Sequence, residues 1–204
     1  MRLPNSTYEF IKGEVANVYR QQNIRSFPVC ANKLAKDMGF KVVPYSELDP
    51  DAYKEAMGVS SDGFYAERDW KEYIFINDSE EIGNARKRMT IFHEIGHPVL
   101  GHDDSMSDDE KESEAKFFGK YLAAPPVAIH LLTNGTESDM QRIFVLSDDA
   151  TRIASEYYTS WKAKVRRSGL AEYDIIILNQ LGVVSVNQIR RFIESVKEDE
   201  VYEK

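Results

Sequence analysis

The chain has 204 residues, with 26 Lys and Arg against 34 Asp and Glu and a formal net charge of −8. That length bounds it to one domain, or one domain with a small helical subdomain, and the acidic balance argues against broad nucleic-acid affinity, which needs cations to displace counterions. The hydrophobic fraction of 42% suffices for a packed core, no apolar run approaches the roughly 18 residues of a membrane span, and a single cysteine excludes an internal disulfide framework.

In chain order, the first residues run directly into an amphipathic pattern, with no signal-type apolar stretch. Tyr8, Ile11, Val15, Val18 and Tyr19 predict a helix over 6–22. Cys30 stands in no motif and reads as a small core residue; one cysteine fits a reducing cytoplasm. Pro28 is expected to open a second helix that Gly39 ends, with Leu34 and Met38 inward. Residues 40–45 read as a strand, 47–57 as a short helix, and 63–68 with 73–77 as a hairpin. Helical spacing resumes at Ile82 and carries through Ala85, Met89, Phe92 and Gly96.

That helix carries His93-Glu94-Ile95-Gly96-His97, an H-E-x-x-H pattern, and His102 follows, so three of the chain's four histidines lie within ten residues. Positions i and i+4 lie about 40° apart around a helix, so His93 and His97 can aim two imidazoles at one point. Two zinc ligands need that arrangement, and Glu94 beside the first can take a proton from an activated water. The third metal ligand is expected from Glu114. Ser107 and Glu110 form a capping box that starts a helix near Asp108. Glu114 lies on the side of Phe117, Phe118 and Tyr121, and a carboxylate turned inward needs a cation. Asp103 and then His102 are the alternatives: Asp103 falls on the last position of H-E-x-x-H-x-x-G-x-x-H but has Leu100 where the turning glycine belongs, and His102 is one residue out of register. Glu112 reads as a solvated first-turn acid. His130 and Tyr65 stand open as donors to an oxyanion. Pro98 lacks a backbone N–H and predicts a kink near Glu94.

Pro125-Pro126 is expected to close the ligand-bearing region, and Asn134-Gly135 to form a turn. Ser147 caps a strong helix through Ala150, Ile153, Ala154, Tyr157, Tyr158, Trp161 and Val165. With the segment 139–146 before it, this faintly resembles a helix-turn-helix. Asp148 and Asp149 at its leading end repel phosphate, so packing is the preferred reading. The segment 173–181 fits either a helix or a buried strand, 186–197 predicts a terminal helix, and the charged end is expected to fray.

The stretch from Arg88 to His102, followed by Glu114-Ala115-Lys116-Phe117-Phe118 through Pro125, resembles the ImmA/IrrE family of zinc metallopeptidases. The resemblance is strongest over 77–126 and weak beyond. Met89, Phe92, Pro98 and Lys116 depart from the family pattern. The resemblance implies an α+β, zincin-like core with a small antiparallel sheet on the H-E-x-x-H helix. It implies a core at 1–126 and a helical region at 127–204 that can pack on it as one unit. It further implies one zinc per chain held by His93, His97 and Glu114, with Glu94 as general base. Members are cytoplasmic proteins of bacteria and their phages and mobile elements. On that basis the expected function is site-specific hydrolysis of a regulatory protein, a helix-turn-helix repressor. The alternative is a non-catalytic anti-repressor or toxin–antitoxin component acting by contact. No membrane or direct nucleic-acid partner is expected.

Overall fold

The computed structural model describes residues 3–198, and the expected frayed tail lies outside them. The elements in chain order are α1 (Asn5–Gln21), α2 (Ala31–Asp37), β1 (Lys41–Pro44), a 3-10 turn (Tyr45–Glu47), α3 (Pro50–Val59), β2 (Gly63–Arg68) and β3 (Lys71–Ile76). They continue with α4 (Asn84–Leu100), α5 (Asp108–Ala123), α6 (Pro126–Leu132), α7 (Glu137–Phe144), α8 (Asp148–Ser168), α9 (Glu172–Gln180) and α10 (Val186–Glu198). The class is α+β, as expected. Two compact units divide the chain: residues 1–11 with 29–123, and 12–28 with 124–204.

In the first unit the sheet order is β1-β3-β2. β2 and β3 form the expected antiparallel hairpin, but β1 runs parallel to β3, so the sheet is mixed. The reason is the crossover through α3, which returns the chain to the same end of the sheet before β2. Asp49 caps α3 by accepting the N–H groups of Asp51 and Ala52. The buried side chains Ile74 and Ile76 belong to the sheet, and Ile91, Phe92 and Ile95 to α4, which packs on β2, β3, α2 and α5.

Two close approaches bring α4 and α5 together. A Cβ on Gly96 would lie 3.2 Å from Ala115 Cα, and one on Gly119 would lie 3.3 Å from the His93 backbone nitrogen. Small residues at these positions let the helix axes come near. The capping box at the start of α5 is formed: Ser107 Oγ donates to Glu110 Oε2 at 2.8 Å, and Glu110 N–H points back to Ser107 Oγ.

The second unit is helical. α6, α7 and α10 pack on α8, and α6 also meets α9. Its core includes Tyr19, Met140, Phe144, Tyr158, Trp161, Ile177 and Leu178, with Phe27 edge-on to Phe144. Ser147 caps α8 by accepting the Ala150 N–H. α7 and α8 pack through Met140, Phe144, Thr151 and Ala154, in line with the packing reading of that pair.

Several local expectations are corrected. Cys30 is exposed, not core, because it sits in extended backbone between buried Val29 and Ala31 and points the other way. The second helix opens at Ala31 rather than Pro28. Pro125-Pro126 follows the last residue of α5 and of the first unit, Ala123, as expected, and Pro126 also occupies the first turn of α6, where a missing N–H costs nothing. The ambiguous segment is helical, with Tyr173, Asp174, Ile177 and Leu178 buried at helical spacing.

Candidate metal centre

α4 runs through Pro98 without interruption and ends at Gly101, whose φ of +69° is the left-handed turn that terminates helices. Its N–H and that of His102 return to the carbonyls of His97 and Pro98. His93 and His97 therefore stay in one helical register. Their Nε2 atoms approach to 3.3 Å.

A third donor lies against both rings, and it is Glu112. Its carboxylate oxygens stand 3.1 Å from His93 Nε2 and 3.5 Å from His97 Nε2. One ligand atom from each of His93, His97 and Glu112 fits within 4.8 Å of the others. Glu114, expected to complete this set, is placed elsewhere: its Oε2 lies 3.2 Å from His102 Nε2.

The reason is helical geometry. Glu112 and Glu114 stand about 200° apart around their axis. The face of α5 that meets α4 is centred on the small residues Ala115 and Gly119, with the Phe118 ring beside Gly96. Glu112 continues the Ala115-Gly119 row, three and seven residues earlier, and Glu114 lies on the side of Phe118. An Ala-x-x-x-Gly spacing opposite Gly96 was the available signal for Glu112. The aromatic stripe marks what is buried more than which carboxylate lies over the motif helix.

Burial, with the nearby charges of Lys116 and His102, pushes His93 down to about 4. Burial, with His93, likewise pushes His97 to about 4 against an opposing pull from Glu112. Both rings are thus neutral near pH 7, the form that offers a lone pair to a metal. Glu94 is buried, and burial pushes it up to about 8, aided by the negative charge of Glu112 and opposed by one hydrogen bond. That bond comes from the Tyr65 backbone N–H to Glu94 Oε2 at 2.9 Å.

Tyr65 belongs to β2, which lies at the edge of the sheet. The turn Asp69-Trp70 has φ of 52° and 59°, so Arg68 and Lys71 form the bonded pair that closes the hairpin. Alternation then leaves the N–H and C=O of Gly63, Tyr65 and Glu67 on the free edge. The Asn77 N–H on Asp62 O, 2.9 Å away, fits the same alternation.

The other candidates have hydrogen-bond partners of their own. Asp103 accepts the Ser105 hydroxyl and N–H, which hold it below the usual carboxylate range. The Tyr65 hydroxyl, pushed up to about 12 by burial and by its bond to Glu72, donates to Glu72 Oε1. His130 belongs to the second unit, between Tyr158 and Ser195.

The family described as the IrrE N-terminal-like domain, Peptidase_M78, matches residues 47–168, from the turn after β1 to the end of α8. The chain belongs to this family. No curated protein and no solved structure matches it. M78 proteins are zinc metallopeptidases, so the donor set can be tested against zinc. With metal–nitrogen bonds of about 2.0–2.1 Å, the edge of a ligand tetrahedron is about 3.3 Å. The His93 Nε2–His97 Nε2 separation of 3.3 Å matches that edge, and one oxygen of Glu112 lies 3.1 Å from the first ring and the other 3.5 Å from the second. Two neutral imidazoles and one carboxylate also suit zinc chemically, and the set fits the ion.

Proposed function

We propose that this M78 protein is a zinc-dependent endopeptidase that cuts a cytoplasmic regulatory protein, a helix-turn-helix repressor of a phage or mobile element. His93 and His97 are the imidazole ligands and Glu112 the carboxylate ligand. The observation that carries this reading is the three-donor cluster with Glu94 buried beside it. Glu114, read from sequence as the ligand, takes the competing place in the test below.

Bound zinc supplies Lewis acidity, which acidifies a water and polarises a carbonyl. Glu94 takes one proton from the attacking water while the water oxygen bonds to the carbonyl carbon. It then delivers that proton to the amine nitrogen as the C–N bond breaks. Burial leaves Glu94 protonated at neutral pH unless a cation beside it favours the carboxylate. A cation in the site would therefore increase the fraction of Glu94 available as base. The Tyr65 N–H fixes the carboxylate and the Gly63 N–H is held by Ser60 Oγ, so the outward carbonyls of β2 and the Glu67 N–H are the edge groups that strand addition of an extended peptide would use. Among the described residues no helix is long and apolar enough to cross a membrane.

The test is incubation of the purified, zinc-loaded protein with helix-turn-helix repressors from its own genome, starting with any encoded beside its gene, with fragments read by mass spectrometry. Wild type is expected to cut at one or a few bonds. Glu94→Gln should keep its zinc and lose cleavage by at least about 100-fold. Glu112→Gln should weaken zinc binding more than Glu114→Gln. Full relief of repression by Glu94→Gln would replace the peptidase with a protein that acts by contact.

A further inference from the structure

His97 has a second ring nitrogen, and it is engaged. Its Nδ1 lies 2.9 Å from His102 Nδ1, and His102 Nε2 lies 3.2 Å from Glu114 Oε2. The His102 side chain is only 2% exposed, so water does not compete for these bonds. The left-handed turn at Gly101 folds the chain back and sets His102 beside His97, their rings edge-on.

Donor and acceptor logic orders the protons along this chain. A carboxylate only accepts, so His102 Nε2 carries the hydrogen toward Glu114. In a neutral ring His102 Nδ1 is then bare. Two nitrogens 2.9 Å apart need one hydrogen between them, so His97 Nδ1 donates it. His97 Nε2 is bare in turn, and it is the atom that faces His93 and Glu112. The opposite order would leave a hydrogen on Nε2 and no lone pair for a metal.

We propose that Glu114 and His102 form a positioning relay that locks His97 in its ligand tautomer and orientation. The two acids at the start of α5 thereby divide the work: Glu112 meets the cation and Glu114 sets the ring that meets it. The relay rests on the zinc reading above. Neither Glu114 nor His102 touches substrate, and both act through His97.

The test measures zinc affinity by chelator competition, with no activity assay, on wild type, His102→Phe, His102→Gln, Glu114→Leu and Glu114→Gln. Circular dichroism of the metal-free proteins checks that each is folded. His102→Phe keeps the ring volume but removes the acceptor, and a loss of about tenfold to 100-fold is expected. His102→Gln offers an oxygen to His97 and an N–H to Glu114, and should recover most of that loss. Glu114→Leu should weaken binding, and Glu114→Gln, which still accepts from His102, should do so less. Nitrogen-15 NMR of histidine-labelled, zinc-loaded wild type should find the proton of His97 on Nδ1 and that of His102 on Nε2. Wild-type affinity in a folded His102→Phe, or the reverse tautomers, overturns the relay. Loss of zinc with Glu114→Gln but not with Glu112→Gln also overturns it, making Glu114 the ligand. Failure of wild type to take up zinc removes the metal reading itself, and the relay with it.

Discussion

The two units each hold histidine, in opposite circumstances. In the first, His93 and His97 bring Nε2 atoms together at 3.3 Å with an acid beside both. In the second, His130 has a hydroxyl on each nitrogen, Tyr158 at 2.8 Å and Ser195 at 2.9 Å, and packs among Tyr158, Trp161 and Phe192. One set of rings converges on a space for a cation; the other ring is a junction between α6, α8 and α10. A histidine's role comes from what its nitrogens face, not from its burial, since all are partly covered.

The contrast breaks first on metal content. His97→Ala should weaken zinc binding by more than about 100-fold, whereas His130→Ala should bind about one zinc per chain as wild type does. Equal zinc in the two variants would erase the difference between the units.

Next comes the packing that brings Glu112 to the rings. Gly96→Val must push against Ala115 Cα and the Phe118 ring, 3.2 and 3.1 Å from the first added carbon. It should destabilise by about 3 kcal/mol in denaturant unfolding and weaken zinc binding at the same time. A stability change with zinc affinity intact would show that Glu112 does not depend on this approach.

The buried acid of the second unit sharpens the comparison through pH. Burial raises Asp174 from 3.8 to about 6, against hydrogen bonds from the Ala171 N–H and Trp161 Nε1 and the charges of Lys12 and Lys164. The native state then holds this proton more tightly than the unfolded chain. Stability from the group is full below pH 4 and is lost as pH rises through 6. Relative to wild type, Asp174→Asn should therefore gain about 2–3 kcal/mol between pH 4 and 7. A flat or reversed difference would contradict the assignment.

The smallest effect is expected at the His130 junction. Ser195 donates its hydroxyl to Phe192 O, so it accepts from His130 Nε2. Ser195→Ala should cost about 1 kcal/mol and leave zinc unchanged.

Much of both units was legible from local pattern. The hairpin, the helix before the motif, the Ser107 capping box and the Ser147 cap all rest on contacts within a few residues. Cys30 was not legible, because the burial of one residue depends on the direction an extended segment faces. His102 ranked last as a ligand and proved to be buried against His97, because the turn at Gly101 falls one residue later than a ligand would require.

Local pattern alone set the pairing of His93 with His97 and the adjacent Glu94, since i, i+4 geometry follows from backbone hydrogen bonds within one helix. Tertiary structure alone decided which carboxylate of α5 joins them. That choice depends on which face of one helix meets another, and here Gly96 against Ala115, and Gly119 against His93, set it between two helices separated by a turn.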